Sequence, residues 1–196
     1  MERGFVLTSM DQIAARAGVS RPTVFALGTK TALLAQLRDR ALDAGDERAL
    51  VEERSWFREL SGASEPGDVL RRYADRIART AGRQLQLGEV LHQAAAVHED
   101  LRELWWTTEE QRYAEATAVA DLIVARGHGR HDRETSRDLL WALTSGQHHQ
   151  TLVRLRGWSH ERYRQWLRET LCELLLVVAR QPAEGPPRRR FRRGAG

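Results

Sequence analysis

The sequence predicts an all-α chain in two parts, a small head of short helices and a larger body of long ones. Three observations carry this. Apolar residues recur at three- to four-residue spacing through most segments, the period of one helix face. The chain has five prolines, and three of them fall in its last fifteen residues, so long stretches run without a helix breaker. Residues 8 to 34 also carry a tight alternation of capping residues, glycines and apolar positions that reads as helix, turn, helix and the start of a third helix.

The first helix is expected from about Met10 to Ala17. Ser9 with Gln12 three residues on has capping-box spacing, and Ile13, Ala14 and Ala17 share a face. Gly18 supplies the left-handed residue that ends a helix without a Cβ clash, and Val19 is expected to point inward from the turn. Ser20 is a second N-cap, and Pro22 sits in a first turn, where a missing N–H costs nothing. Gly28 ends this second helix. Thr29 caps a third, from Lys30 to Ala44, with an apolar stripe of Ala32, Leu33, Leu34 and Leu37.

Residues 46 to 66 read as irregular, apart from an amphipathic piece at Trp56, Phe57 and Leu60. The body then begins near Gly67 with a helical face of Val69, Leu70, Tyr73, Ile77 and Ala81, which Gly82 is expected to interrupt. A second body helix covers Leu85 to Val97, and a long one runs from Asp100 to Arg126, closed by Gly127-His128-Gly129. The last two helices are expected over Asp132–Leu155 and Ser159–Gln181, joined through Gly157. Leu139, Leu140, Leu143, Gly146, Gln150 and Val153 mark the first. Tyr163, Trp166, Leu167, Leu171, Leu174 and Leu175 mark the second, a stripe wider than one neighbouring helix covers.

A glycine-bearing turn between two short helices is the spacing of a helix-turn-helix, whose second helix enters the DNA major groove by its N-terminal side chains. Here those are Ser20, Arg21 and Thr23. Arg21 has the fork that donates two parallel bonds to guanine, and Thr23 reaches a base or a phosphate. Spacing alone equally allows a helical hairpin in any all-helical protein. The string itself is more specific. DQIAARAGVSRPTVF followed by K-x-x-L-L, with ERGF and TSM before it, resembles the DNA-binding segment of the tetracycline-repressor (TetR) family of bacterial regulators, over residues 2 to 37. A looser likeness in helix number and length extends to about Gln181.

The resemblance implies a helix-turn-helix head over residues 1–45, a helical ligand-binding and dimerisation body over 46–181, and an Arg-rich tail over 182–196. It implies that Arg21 and Thr23 contact DNA, that Phe25 stands where the family usually has a phosphate-binding Tyr, and that Lys30 meets a phosphate. Ligand-pocket candidates are Tyr73, Ile77, Leu91, His92, Trp105, Thr108 and Arg112. Dimer candidates are Leu143, Gly146, Gln150, Tyr163, Trp166, Leu167, Leu171 and Leu174, in a four-helix bundle with a second copy. The implied partners are an operator in double-stranded DNA, a small-molecule effector and a twin subunit. The sequence departs from the family in two ways. The turn Ala26-Leu27-Gly28 is one residue short of the usual aromatic-rich turn, and the family's first helix would precede ERGF. We therefore expect the natural start to lie upstream of Met1, a degenerate head being the other explanation, and Phe5, Ile13, Val24 and Leu33 to be partly exposed for want of that helix.

Composition narrows the class further. With 41% hydrophobic and 30% charged residues the chain has enough apolar content for a globular core. One cysteine, Cys172, excludes an internal disulfide and fits a reducing cytoplasm. No signal-peptide pattern is seen, and the longest apolar run, Leu174 to Ala179, is too short to span a bilayer. The net charge of +4 comes from the tail, since the residues before it hold 26 basic and 26 acidic side chains. The first forty residues hold six basic and three acidic ones, a modest bias of the sign that DNA requires. Every basic residue except Lys30 is arginine.

No phosphate loop, serine elbow or paired-cysteine pattern occurs, and no cofactor is implied. Glu89 and His92 have the Glu-x-x-His spacing of di-iron bundles, yet no second copy exists, and His92 reads better as a pocket or polar core residue. His128 with His131, and His148 with His149, lack further ligands. Trp105, Trp106, Tyr113 and Trp141 fit an aromatic pocket or core filling equally well. The first reading is thus a ligand-responsive, dimeric DNA-binding regulator. The alternatives are a dimeric ligand- or partner-binding helical protein without DNA binding, and a helical-bundle metalloenzyme.

Overall fold

The computed structural model describes residues 5–41 and 50–177, with the side chains of 39–41, 82–87 and 89 left aside. Within them the chain is helical, with one isolated antiparallel bridge between Gly129 and Leu176 and no other strand pairing. The head comprises α1 (Met10–Ala17), α2 (Arg21–Ala26) and α3 (Lys30–Ala41). Its caps follow from the residues. Gln12 N–H donates to Ser9 Oγ at 3.2 Å while Ser9 N–H donates to Gln12 Oε1 at 3.0 Å, closing the capping box. Gly18 sits at φ 67°, where a Cβ would be strained. Thr29 Oγ1 accepts from Ala32 N–H at 3.1 Å and starts α3.

In the body, a 3₁₀ turn (Val51–Glu53) leads into α4 (Ser55–Ser61), followed by α5 (Pro66–Ala95) and α6 (Glu99–Ala125). Then come α7 (Arg133–Leu143), α8 (Gly146–His149), a π-helical turn (Gln150–Leu155) and α9 (His160–Leu175). The main core lies where α5, α6, α7 and α9 meet, and holds Val69, Leu70, Ala74, Val119, Ile123, Leu140, Leu167 and Leu175 among others. Arg126 at the end of α6 donates to the carbonyls of Ser61 at 2.7 Å and Ala63 at 2.9 Å, tying α6 to the loop after α4. After α9 the chain extends: Arg130 N–H donates to Leu175 O and Val177 N–H to His128 O, each at 2.9 Å.

Several sequence expectations are corrected. Gly82 does not interrupt: α5 is one helix of 30 residues, because a lone glycine costs only about 1 kcal/mol in a helix that packing supports. The expected helix over Asp132–Leu155 is broken instead at Thr144-Ser145, where Ser145 Oγ accepts from Gln147 N–H and caps a new start. The last helix stops at Leu175, short of Gln181. Val19 is exposed rather than inward. Phe5 and Val24 are buried, while Ile13 and Leu33 are part-exposed. Phe5 finds cover on the body itself, packed with Leu34 of α3 against Leu91, Ala94 and Leu101. The end of the expected third helix, residues 42–44, and the tail from 182 lie outside the described residues.

His149 sits 5% exposed against Tyr163, its ring edge-on at 5.1 Å, and its Nε2 lies 3.4 Å from His160 Nδ1. Burial first, then the nearness of His160 and Arg154, holds its imidazole below the ordinary histidine range. Above the unfolded pKa of about 6.5 both states are neutral and the shift has no effect. Below it the unfolded chain takes up the proton more readily, so stability falls as pH drops. The loss of Tm between about pH 7 and about pH 5 is therefore expected to shrink in His149→Gln, as thermal melts would show; an unchanged pH profile would mean another group sets it.

Candidate functional site

Two sites emerge, a surface on the head and a cavity in the body. On the head, Ser20 Oγ accepts from Thr23 N–H at 3.3 Å, and the two hydroxyls lie 2.7 Å apart, so both side chains serve to start α2. Arg21 is exposed and reaches back to Asp11 of α1, Nε to Oδ1 2.7 Å. Its guanidinium also lies 5.3 Å from the centre of the Phe25 ring, which is 49% exposed. Ser20, Arg21, Thr23 and Phe25 thus lie together on the outer side of α2, while Val24 alone turns inward. An exposed Arg–Asp pair is worth little in water and yields readily to a phosphate or a base edge.

Lys30 differs from its expected role. Its Nζ donates to Phe5 O at 2.9 Å and Thr8 O at 3.0 Å, and stands 4.3 Å from the centre of the Phe5 ring. Two of its three donors hold the turn over residues 5–8 against α3, so its charge is directed into the head rather than outward. The sequence pattern shows a lysine at a helix start, a place that suits either role.

The body cavity has a volume of about 760 Å³, bounded by α5, α6 and the broken segment α7–α8. Six of the seven pocket candidates line it: Ile77, Leu91, His92, Trp105, Thr108 and Arg112. Tyr73 does not. It is buried in the main core, stacked on Trp56 at 6.1 Å, and burial above all pushes its hydroxyl up to about 12. Gly146 and Gln150, expected at a dimer seam, line the cavity instead, because the break at Ser145 re-aims the segment that follows it.

The remaining dimer candidates divide. Tyr163, Leu167 and Leu171 are 0% exposed and belong to the interior of one chain, where no partner reaches them. The width of the α9 stripe is taken up by α5 and α7. Leu143, also a core-packed side chain, and Trp166, which sits among Trp158, Tyr163 and His148, are part-exposed; Leu174 is exposed.

Apart from Arg112, sequence reasoning missed the charged furniture of the cavity. Glu115 accepts from Arg54 Nη1 at 2.7 Å and from Arg76 Nη1 at 3.1 Å, and Arg76 lies 4.0 Å over the Trp56 ring. Nearby, Arg112 donates to Glu109 at 2.6 Å and to Trp141 O at 2.8 Å, and Trp141 Nε1 donates to Glu109 at 3.1 Å. The signal was present in the sequence: Arg76 stands beside Ile77, and Glu115 beside Ala116, on the apolar faces of α5 and α6. A charge on an apolar face must be paired inside the fold. Leu91 and Trp105 have two roles, lining the cavity and packing in the cluster that seats Phe5 and Leu34.

Among the described residues no three His, Cys, Asp or Glu side chains gather as a metal site, and no helix is long and apolar enough to cross a membrane. No curated protein matches the chain. Residues 1–37 match the family model described as bacterial regulatory proteins, tetR family. That match covers α1, α2 and the start of α3, the segment on which the exposed Arg21 and Thr23 stand. Over these residues the head is similar to the tetR family of bacterial regulatory proteins.

Proposed function

We propose that the protein is a ligand-responsive transcriptional repressor that binds a pseudo-palindromic operator as a homodimer. In this reading residues 1–45 are the DNA-binding head, 46–181 the effector-binding and dimerising body and 182–196 a tail. Ser20, Arg21, Thr23 and Phe25 face the operator, with Arg21 on a base edge. The dimer seam draws on what α7 to α9 leave exposed, Leu155 and Leu174 among them.

The observation that carries the effector part is the double role of Leu91 and Trp105. Both line the cavity, and both pack in the cluster that holds Phe5 and Leu34 of the head. A ligand that reorders Trp105 changes the seat of the head, and so favours one spacing of two heads over another. That is a population shift driven by differential binding.

Binding to the chain's own upstream DNA, followed by fluorescence anisotropy across a salt titration with scrambled DNA beside it, tests the reading. Arg21→Ala is expected to weaken operator binding by about 1–3 kcal/mol without changing the oligomeric state. The five tail arginines add sequence-blind, salt-sensitive affinity, so a version ending at residue 181 is measured in parallel. Unaltered affinity in Arg21→Ala would refute the role given to α2, and sequence-blind binding lost with the tail would refute operator recognition.

A further inference from the structure

We propose that the body cavity takes an uncharged, flat aromatic molecule bearing hydroxyl or N–H donors, and rejects ions of either sign. This rests on the reading of the cavity as the effector site and adds the chemical class of the effector.

Charge comes first. Among the described residues the cavity is lined by two guanidiniums, Arg76 and Arg112, and two carboxylates, Glu115 and Glu109. Each guanidinium stands against a carboxylate, Arg76 with Glu115 at 3.1 Å and Arg112 with Glu109 at 2.6 Å, so these four described charges cancel. An anion approaching Arg112 enters the field of Glu109. A cation approaching Glu115 meets Arg76 and, behind it, Arg54, whose Nη1 lies 2.7 Å from Glu115. Near low-dielectric walls such repulsion is felt more strongly than in bulk water, and admitting an ion means separating a pair already made.

Shape comes second. Three of the described lining side chains, His92, Trp105 and Trp106, are rings in contact with one another. His92 and Trp105 lie 5.1 Å apart at 34°, and Trp105 and Trp106 lie 4.6 Å apart at 60°. Aromatic walls favour a flat guest, stacked or edge-on. A volume of about 760 Å³ lies within the usual range for a ligand of drug size.

The hydroxyls decide the polar groups. Thr80 donates to the carbonyls of Arg76 and Ile77 at 3.2 Å, Thr108 to Leu104 O at 2.8 Å and Thr144 to Leu140 O at 2.8 Å. All three line the cavity with the hydroxyl proton already given to their own helix. What they offer a guest is a lone pair, and its partner is an O–H or N–H on the ligand.

The test is calorimetric titration of the full chain with three probes of one shape: 2-naphthol, 2-naphthoate and 2-naphthylmethylammonium. The naphthol is expected to bind at least about tenfold more tightly than either ion. An ion that binds as tightly overturns the class while leaving the cavity a ligand site; heat from none of the three overturns cavity and class together. Release of upstream DNA by the bound probe is read separately, so failure of the effector reading is told apart from failure of the class. Glu109→Gln keeps size and an acceptor for Trp141 but leaves Arg112 without its counter-charge. The ratio of naphthoate to naphthol affinity is expected to rise about tenfold in that variant, its folding checked by thermal melt. An unchanged ratio would show that pairing does not set the selectivity, and would overturn the proposal.

Discussion

Glu115→Gln is expected to destabilise the protein by about 3–5 kcal/mol, the cost of breaking a buried ionic group by removing one partner. The side chains concerned are nearly closed to solvent, Arg54 at 5% and Arg76 and Glu115 each at 12% exposure. The substitution would set a neutral amide against both guanidiniums in place of the carboxylate they share. For a chain of this size the loss corresponds to roughly 6–20 °C in Tm. The control is Glu161→Gln, whose partner Arg164 lies 2.7 Å away at the surface, where an ion pair is worth about 0–1 kcal/mol. Melts of the two variants should differ clearly. Equal, small losses would mean that the Arg54–Glu115–Arg76 group is solvated in solution.

The second large effect is Leu167→Ala, expected to cost about 2–5 kcal/mol through lost burial and the cavity left behind. Its side chain is fully buried between α9 and its neighbours within one chain. The drop in Tm relative to the parent is therefore expected to be the same at about 1 µM and about 100 µM protein, because the side chain makes no contact across a subunit seam. A drop that grows on dilution would return Leu167 to a subunit seam.

That contrast shows where the sequence was readable. The capping box of Ser9 and Gln12, the left-handed Gly18 and the caps at Ser20 and Thr29 are decided by neighbours three or four positions away, so the head could be read residue by residue. The cavity lining was also largely readable, since Ile77, Leu91, His92, Trp105, Thr108 and Arg112 fall on faces of long helices that pack against one another. What could not be read depended on tertiary choices. An apolar stripe states that Leu167 and Leu171 are buried, but not whether the same chain or another covers them. Gly82 and Ser145 both weaken a helix on paper. Packing carries α5 through the first, while the second lies where a cap at Ser145 and a π-helical turn re-aim the chain toward the cavity. The inward turn of Lys30 is not legible in the sequence, because its acceptors are backbone carbonyls, which every sequence has.

The clasp at Lys30 has a practical consequence. Of 31 basic side chains in the protein, 30 are arginine and this one is lysine. An amine-directed reagent therefore meets, besides the α-amino group, a single side-chain target, and that target sits on the head with its nitrogen held by two carbonyls under the Phe5 ring. Its acylation rate becomes an intrinsic gauge of how firmly the head is closed, read by mass spectrometry without introducing any label site.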